Sequence, residues 1–121
     1  MTRLVRQSAP RLVAGVVLFS LNTAYLAAFA TPSLFYYGNV VLHMLLGLVL
    51  GVVFARQLFA AWTTLGAVVR VSALVLAVGA ITGVAIMRVG AAGHYRWLLP
   101  VHIWSSLAGG LPLVAIGAAA A

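Results

Sequence analysis

The sequence contains no aspartate, no glutamate, no cysteine and no lysine among its 121 residues. Enzymatic hydrolysis, phosphoryl transfer and proton pumping normally need carboxylates, a phosphate-binding loop or a relay of titratable groups. None of these is in the sequence, so we expect no catalytic activity from this chain alone. The absence of cysteine also excludes disulfides, thiolate metal sites and the attachment motif of c-type haem.

The residues that are present are mainly apolar. Hydrophobic residues make up 65% of the chain and charged residues 6%, a composition that cannot form a water-soluble surface. The sequence therefore indicates an integral membrane protein. Its net charge of +7 comes from arginines that flank the apolar runs. We expect these arginines to meet the lipid bilayer or other membrane subunits, and we expect no nucleic acid as a partner.

Four apolar runs are long enough to cross a bilayer as helices, and they cover residues 12–30, 38–55, 68–87 and 98–118. Polar or aromatic connectors follow at Thr31-Pro32-Ser33, between Arg56-Gln57 and Thr63-Thr64, and from Arg88 to Arg96. The pattern predicts an all-α fold, a four-transmembrane-helix up-and-down bundle. No linker or internal repeat indicates a second domain, so we expect residues 1–121 to form a single membrane domain. The first run is longer than a typical signal-peptide core, and we expect it to be retained.

Arginine placement predicts the orientation of the bundle, because cytoplasmic connectors of membrane proteins carry the excess positive charge. Arg88 and Arg96 fall on one side of the membrane in this topology. The remaining arginines fall on the other side: Arg3, Arg6, Arg11, Arg56 and Arg70. We therefore expect both termini in the cytoplasm.

Two histidines lie inside the apolar runs at matching depth. His43 follows Tyr37 by about six residues and His102 follows Trp97 by about five, which places both about 7–9 Å below the outer interface. Helices two and four are diagonal in an up-and-down bundle, so side chains that point inward from both meet near its axis. A single membrane histidine is most often a hydrogen-bonded packing residue. Two at equal depth favour a flat macrocycle with two axial imidazoles, haem above all.

Small residues beside the histidines extend the predicted cofactor site. Gly47 and Ser106 each lie one turn after a histidine, where a small side chain leaves room for a porphyrin edge. Small residues at this spacing are also typical of close packing between membrane helices, which remains the alternative. The same spacing recurs at Gly79 and Gly83, where we predict no ligand.

Basic and polar residues complete the set of candidates. Arg88 and Arg96 are placed to bind haem propionates near the outer face, although they also suit lipid phosphates. His94 is expected to be an exposed interfacial residue. Asn22 and Tyr25 on the first helix are candidates for lining a possible quinone pocket, with a hydrogen bond between helices as the favoured alternative.

Two aromatic-rich segments that end in the histidines resemble small four-helix b-type cytochrome modules of bacterial electron-transfer complexes: Pro32-Ser33-Leu34-Phe35-Tyr36-Tyr37-Gly38-Asn39-Val40-Val41-Leu42-His43 and Tyr95-Arg96-Trp97-Leu98-Leu99-Pro100-Val101-His102. The resemblance implies that His43 and His102 are the axial iron ligands of one haem b. It also implies an electron-transport subunit of the bacterial inner membrane, partnered with other membrane subunits or multihaem c-type cytochromes. The second histidine pair of dihaem relatives is missing here.

Two other functions remain open from the sequence. The chain could be an accessory subunit of a photosynthetic complex, in which each histidine separately ligates the magnesium of a chlorophyll-type pigment. It could also be a purely structural membrane anchor of a larger complex. The pigment hypothesis differs from the haem hypothesis in requiring no convergence of the two imidazoles.

Overall fold

The computed structural model describes the backbone of residues 2–119 and the side chains of residues 12–116. The side chains of Arg3, Arg6 and Arg11 therefore lie outside the described residues. All regular structure in the described part is helical, with two short 3₁₀ turns at Trp62–Thr64 and Gly93–Tyr95. The helices are α1 (Thr2–Ala28), α2 (Leu34–Ala61), α3 (Ala67–Val89) and α4 (Leu98–Ala119). The predicted all-α fold with four helices is confirmed.

The connector between the second and third helices is shorter than predicted. We expected helix two to end near Ala55, but α2 continues to Ala61 and leads directly into the first 3₁₀ turn. Arg56 and Gln57 are among the better helix-forming residues, and no glycine or proline follows them before Gly66. Polar residues here mark the end of the apolar run and not the end of the helix.

The other two connectors lie where the sequence predicts them. Before α2, the Tyr36 backbone N–H donates to Ser33 Oγ at 3.1 Å, which is an N-cap bond. After α3, Gly90 and Gly93 have φ angles of 77° and 56°. Only glycine adopts such left-handed backbone without a steric cost, so these two residues allow the chain to turn between α3 and α4.

The chain exposes large apolar side chains and buries small or polar ones. Leu34, Phe59 and Trp104 are 91%, 80% and 70% exposed. Among the side chains of residues 12–116, the buried ones other than Leu98 are all small or polar: Asn22, Ser72, Ala73 and Thr82. Helices that face lipid show this pattern, because lipid tails solvate apolar side chains and small residues let helix backbones approach.

Three helical segments are long and apolar enough to cross a membrane. They are Leu34–Thr64, Ala67–Val89 and Gly93–Ile116, with mean hydropathy of 2.1, 2.1 and 1.5. By the length and composition of these segments the chain is an integral membrane protein. The described apolar part of α1, Leu12–Ala28, is shorter, so the crossing of the membrane by the first helix stays a prediction.

The chain divides into two units, Met1–Ala55 and Arg56–Ala121, and each contains a helical hairpin. In the second unit the backbones of α3 and α4 are in close contact, since a Cβ on Gly109 would lie 2.6 Å from the Ser72 carbonyl oxygen. In the first unit side chains lie between the helices. A Cβ on Gly15 would lie 3.3 Å from Leu50 Cδ2, for example. This difference in the separation of the two helices determines which atoms of the neighbouring helix each histidine can contact.

Candidate functional site

His102 in α4 is hydrogen-bonded to the backbone of α3. Its Nδ1 lies 2.7 Å from the Gly79 carbonyl oxygen. A carbonyl oxygen can only accept, so Nδ1 carries the proton and donates it. In a neutral imidazole Nε2 then carries the lone pair, and Nε2 is the atom through which this residue can ligate a metal.

Two glycines of α3 allow this close approach. A Cβ on Gly83 would lie 2.9 Å from His102 Cε1 and 3.0 Å from His102 Nδ1, so any larger residue at this position would displace the imidazole. A Cβ on Gly79 would lie 3.0 Å from the Ser106 backbone nitrogen. The sequence pattern identified both glycines as packing residues but did not connect them with His102.

His43 in α2 makes a related contact with α1. Its Nδ1 lies 3.2 Å from Thr23 Oγ1. The threonine hydroxyl has one proton, which it donates to the Phe19 carbonyl oxygen at 2.8 Å. In the tautomer protonated at Nδ1, His43 donates to this hydroxyl oxygen, and Nε2 again carries the lone pair. The Phe19 ring also stacks on the imidazole, with centroids 4.6 Å apart and planes at 21°.

The two half-buried histidines thus share one arrangement. Each lies on the second helix of a hairpin and donates Nδ1–H to an oxygen on the first helix of the same hairpin. Such a bond fixes the ring orientation and makes Nε2 more basic, and it is the usual arrangement around histidines that ligate metals. Each residue is suited to be an axial ligand of haem iron or of a pigment magnesium. The convergence of both imidazoles on one macrocycle stays a prediction.

Gly47 and Ser106 both lie at helix contacts within their own hairpins. A Cβ on Gly47 would lie 3.5 Å from Phe19 Cε2, so this glycine faces the ring that stacks on His43. Ser106 faces Gly79 across the α3–α4 contact. These are contacts of the packing kind that the sequence left as the alternative. A further part for the two residues in holding a cofactor stays a prediction.

The basic residues of the connector between α3 and α4 are exposed. Arg88 lies in the last turn of α3, and Arg96 directly follows the 3₁₀ turn that contains His94. His102 lies four residues after the first residue of α4, or about 6 Å along the helix. The two arginines therefore lie at the end of the α3–α4 hairpin that is nearer to His102.

The expected hydrogen bond between the first two helices is present. Asn22, which is only 5% exposed, donates from Nδ2 to Asn39 Oδ1 at 2.9 Å and to the Asn39 carbonyl oxygen at 3.2 Å. Thr82 instead bonds within α3, to the Val78 carbonyl oxygen at 2.8 Å. Tyr25 packs its ring edge-to-face with Phe35.

An open groove runs along the first turns of α2. It is apolar except for the Asn39 amide, and it is lined by Leu34, Phe35, Gly38, Asn39 and Leu42. A quinone headgroup could bind to such a mixture of apolar and amide groups, but neither Asn22 nor Tyr25 lines the groove. The possible quinone therefore stays a prediction.

Thr23 is the contact of the site that sequence reasoning missed. A threonine inside a membrane helix usually donates to the carbonyl one turn earlier, and Thr23 does so. Besides this ordinary bond, Thr23 has a second role, which is to accept the proton of His43 Nδ1.

Comparison with protein-family models, with curated proteins and with solved structures found no match. The candidate site therefore rests on the contacts of this chain.

Proposed function

We propose that this chain is a membrane electron-transfer subunit that holds one haem b near the outer face of a bacterial inner membrane, with His43 and His102 as the axial ligands. The observation that carries the proposal is the shared hydrogen bonding of the two histidines. Both imidazoles donate through Nδ1 to a partner helix, at 3.2 Å and 2.7 Å, and both therefore present Nε2 as the ligating atom.

The donor set suits haem better than a free metal ion. The chain has no carboxylate and no cysteine to balance the charge of a divalent cation. Within residues 12–116 no three potential ligands come together as a metal cluster. Haem needs only two neutral imidazoles from the protein, because the porphyrin supplies the other four ligands and the compensating charge.

Ligation by two histidines would determine the kind of chemistry. Bound haem supplies a one-electron couple between ferric and ferrous iron, and two protein ligands leave no coordination position for a substrate. The residues of this chain then act by holding the ligand rings, by excluding water and by setting the potential. Exposed Arg88 and Arg96 supply positive charge at the outer connector, which suits haem propionates and the approach of a multihaem cytochrome partner.

The pigment hypothesis is the second candidate, and one observation favours it. Each histidine is oriented within its own hairpin, His43 by Thr23 and His102 by Gly79. Each could therefore ligate a separate chlorophyll-type magnesium without any contribution from the other hairpin. In that case the chain would be an accessory subunit of a photosynthetic complex.

A visible absorption spectrum of the chain purified in mild detergent distinguishes these functions. The proposal predicts a sharp α band of low-spin haem b on reduction. Bands in the red that do not change on reduction would replace the haem proposal with the pigment hypothesis. A chain without visible absorption, purified from haem-replete cells, would favour the structural anchor.

A further inference from the structure

One constant separation along the chain relates three polar residues of the first hairpin to residues of the same type in the second. The equally spaced pairs are Thr23 and Thr82, Tyr36 and Tyr95, and His43 and His102, and the two residues of each pair are of the same type. The same separation joins Arg11 to Arg70 and Gly51 to Gly110. Most other positions differ between the two hairpins: Asn22 corresponds to Ile81 and Asn39 to Leu98, for example, so the similarity is confined to a few residues.

The paired residues also make matching bonds. Thr23 Oγ1 donates to the Phe19 carbonyl oxygen and Thr82 Oγ1 to the Val78 carbonyl oxygen, both at 2.8 Å. Phe19 and Val78 are themselves related by the same separation. In each hairpin the histidine of the second helix donates its Nδ1 proton to the first helix within one turn of this threonine.

The two histidines differ in their hydrogen-bond acceptor, which is a threonine hydroxyl for His43 and a backbone carbonyl oxygen for His102. The spacing of the helices explains this difference. In the second hairpin Gly79 lets the helices approach, and His102 reaches the Gly79 carbonyl oxygen. The Thr82 hydroxyl shares its one proton between this oxygen, at 3.0 Å, and the Val78 carbonyl oxygen. In the first hairpin the Phe19 ring lies between the helices, where it stacks on His43. His43 therefore meets the threonine hydroxyl in place of a carbonyl.

We infer that the two hairpins are two copies of one histidine-presenting unit, in which a threonine of the first helix is the positioning residue of the histidine: Thr23 for His43 and Thr82 for His102. Thr23 acts directly, because a hydroxyl that donates to a carbonyl becomes a stronger acceptor for His43 Nδ1–H. Thr82 acts through the carbonyl that it shares with His102. The inference rests on the proposed function, since it concerns residues that orient the proposed haem ligands.

The first test uses the full chain without haem, labelled with ¹⁵N and studied by NMR in micelles. The wild-type chain should show His43 as the tautomer protonated at Nδ1. Thr23→Val removes the acceptor and should change this tautomer or produce a mixture, whereas Thr23→Ser should restore it. Ser20→Ala is the matched control, because Ser20 makes the same bond to its own helix from an exposed position, at 2.8 Å to the Val16 carbonyl oxygen.

The second test measures the midpoint potential of the haem-loaded chain. Loss of the Nδ1 bond weakens the basicity of His43 and with it the preference of the site for ferric iron. A tenfold loss of that preference corresponds to a potential about 59 mV higher for a one-electron couple. Thr23→Val should raise the potential by about this amount, Thr23→Ser should keep the wild-type value, and Thr82→Val should have a smaller effect because His102 retains the Gly79 carbonyl.

The two tests separate failure of the inference from failure of the proposed function. An unchanged His43 tautomer in Thr23→Val, or an equal shift of potential in Ser20→Ala, would overturn the role of Thr23. An effect of Thr82→Val as large as that of Thr23→Val would overturn the assignment of Thr82 to an indirect role. A wild-type chain that binds no haem refutes the proposed function, whatever the tautomer shows.

Discussion

Replacing Gly109 by alanine should separate α3 from α4. The new Cβ would lie 2.6 Å from the Ser72 carbonyl oxygen and closer still to the Leu76 backbone nitrogen. Ordinary van der Waals contacts of a Cβ begin at 3.4 Å, and the atoms in the way belong to the backbone of a helix. They cannot rotate aside as a side chain can, so the two helices must move apart by most of an ångström.

The expected cost follows from two opposing effects. Overpacking of a tight interface costs about 1–3 kcal/mol, while alanine favours a helix over glycine by about 1 kcal/mol. Packing of small residues is the main attraction between membrane helices, so the separation also weakens the neighbouring contacts of Ser106 with Gly79. We therefore expect Gly109→Ala to lower the free energy of unfolding by about 1–2 kcal/mol.

Unfolding in mixed micelles of SDS and a mild detergent, followed by circular dichroism, measures this change. Gly110→Ala is the matched control, because Gly110 is the next residue of the same helix and a Cβ there would meet nothing within 4 Å. The control should be as stable as the wild type or up to about 1 kcal/mol more stable. Equal stability of Gly109→Ala and Gly110→Ala would refute the close backbone approach.

Three further outcomes are expected. Single cysteines at the exposed positions of Ala60 and Ala92 should react with a membrane-impermeant thiol reagent from opposite sides of the membrane, and labelling of both from one side would disprove the proposed topology. Asn22→Leu should reduce the free energy of unfolding by about 0.6 kcal/mol and at most about 1.7 kcal/mol, as judged by the same detergent titration. Adding Asn39→Leu should recover most of this loss, because both partners of the bond are then apolar. Arg96→Ala should retain haem but lower its midpoint potential in a redox titration, since a nearby positive charge favours the reduced state; an unchanged potential would place Arg96 away from the haem.

For a simple physical reason, the sequence predicts the four helices and identifies two histidines as candidate ligands. Apolar runs long enough to cross a bilayer form helices because the backbone has no other hydrogen-bond partner in lipid. His43 and His102 are conspicuous within such runs, since polar groups are costly there. The extension of α2 past Arg56 to Ala61 was not predicted, because a hydropathy pattern marks where the apolar run stops.

The partners of the histidines could not be predicted in the same way. Which oxygen His43 or His102 reaches depends on the rotation of two helices and on their separation, and both are set by contacts between helices. Gly79 and Gly83 show this, because their spacing indicates close packing of any kind, while their contact with His102 depends on the position of α4. The recurrence of threonine and histidine at one separation was the available signal for Thr23.

Removing each proposed ligand in the full chain tests most directly whether His43 and His102 are the two axial ligands of one haem b. The measurement is the reduced visible spectrum of His43→Ala, His102→Ala and His94→Ala, with His94 in the exposed connector as the control. We expect each of the first two variants to lose the low-spin haem spectrum and His94→Ala to keep it nearly intact. Wild-type spectra in both His43→Ala and His102→Ala would contradict the ligand assignment.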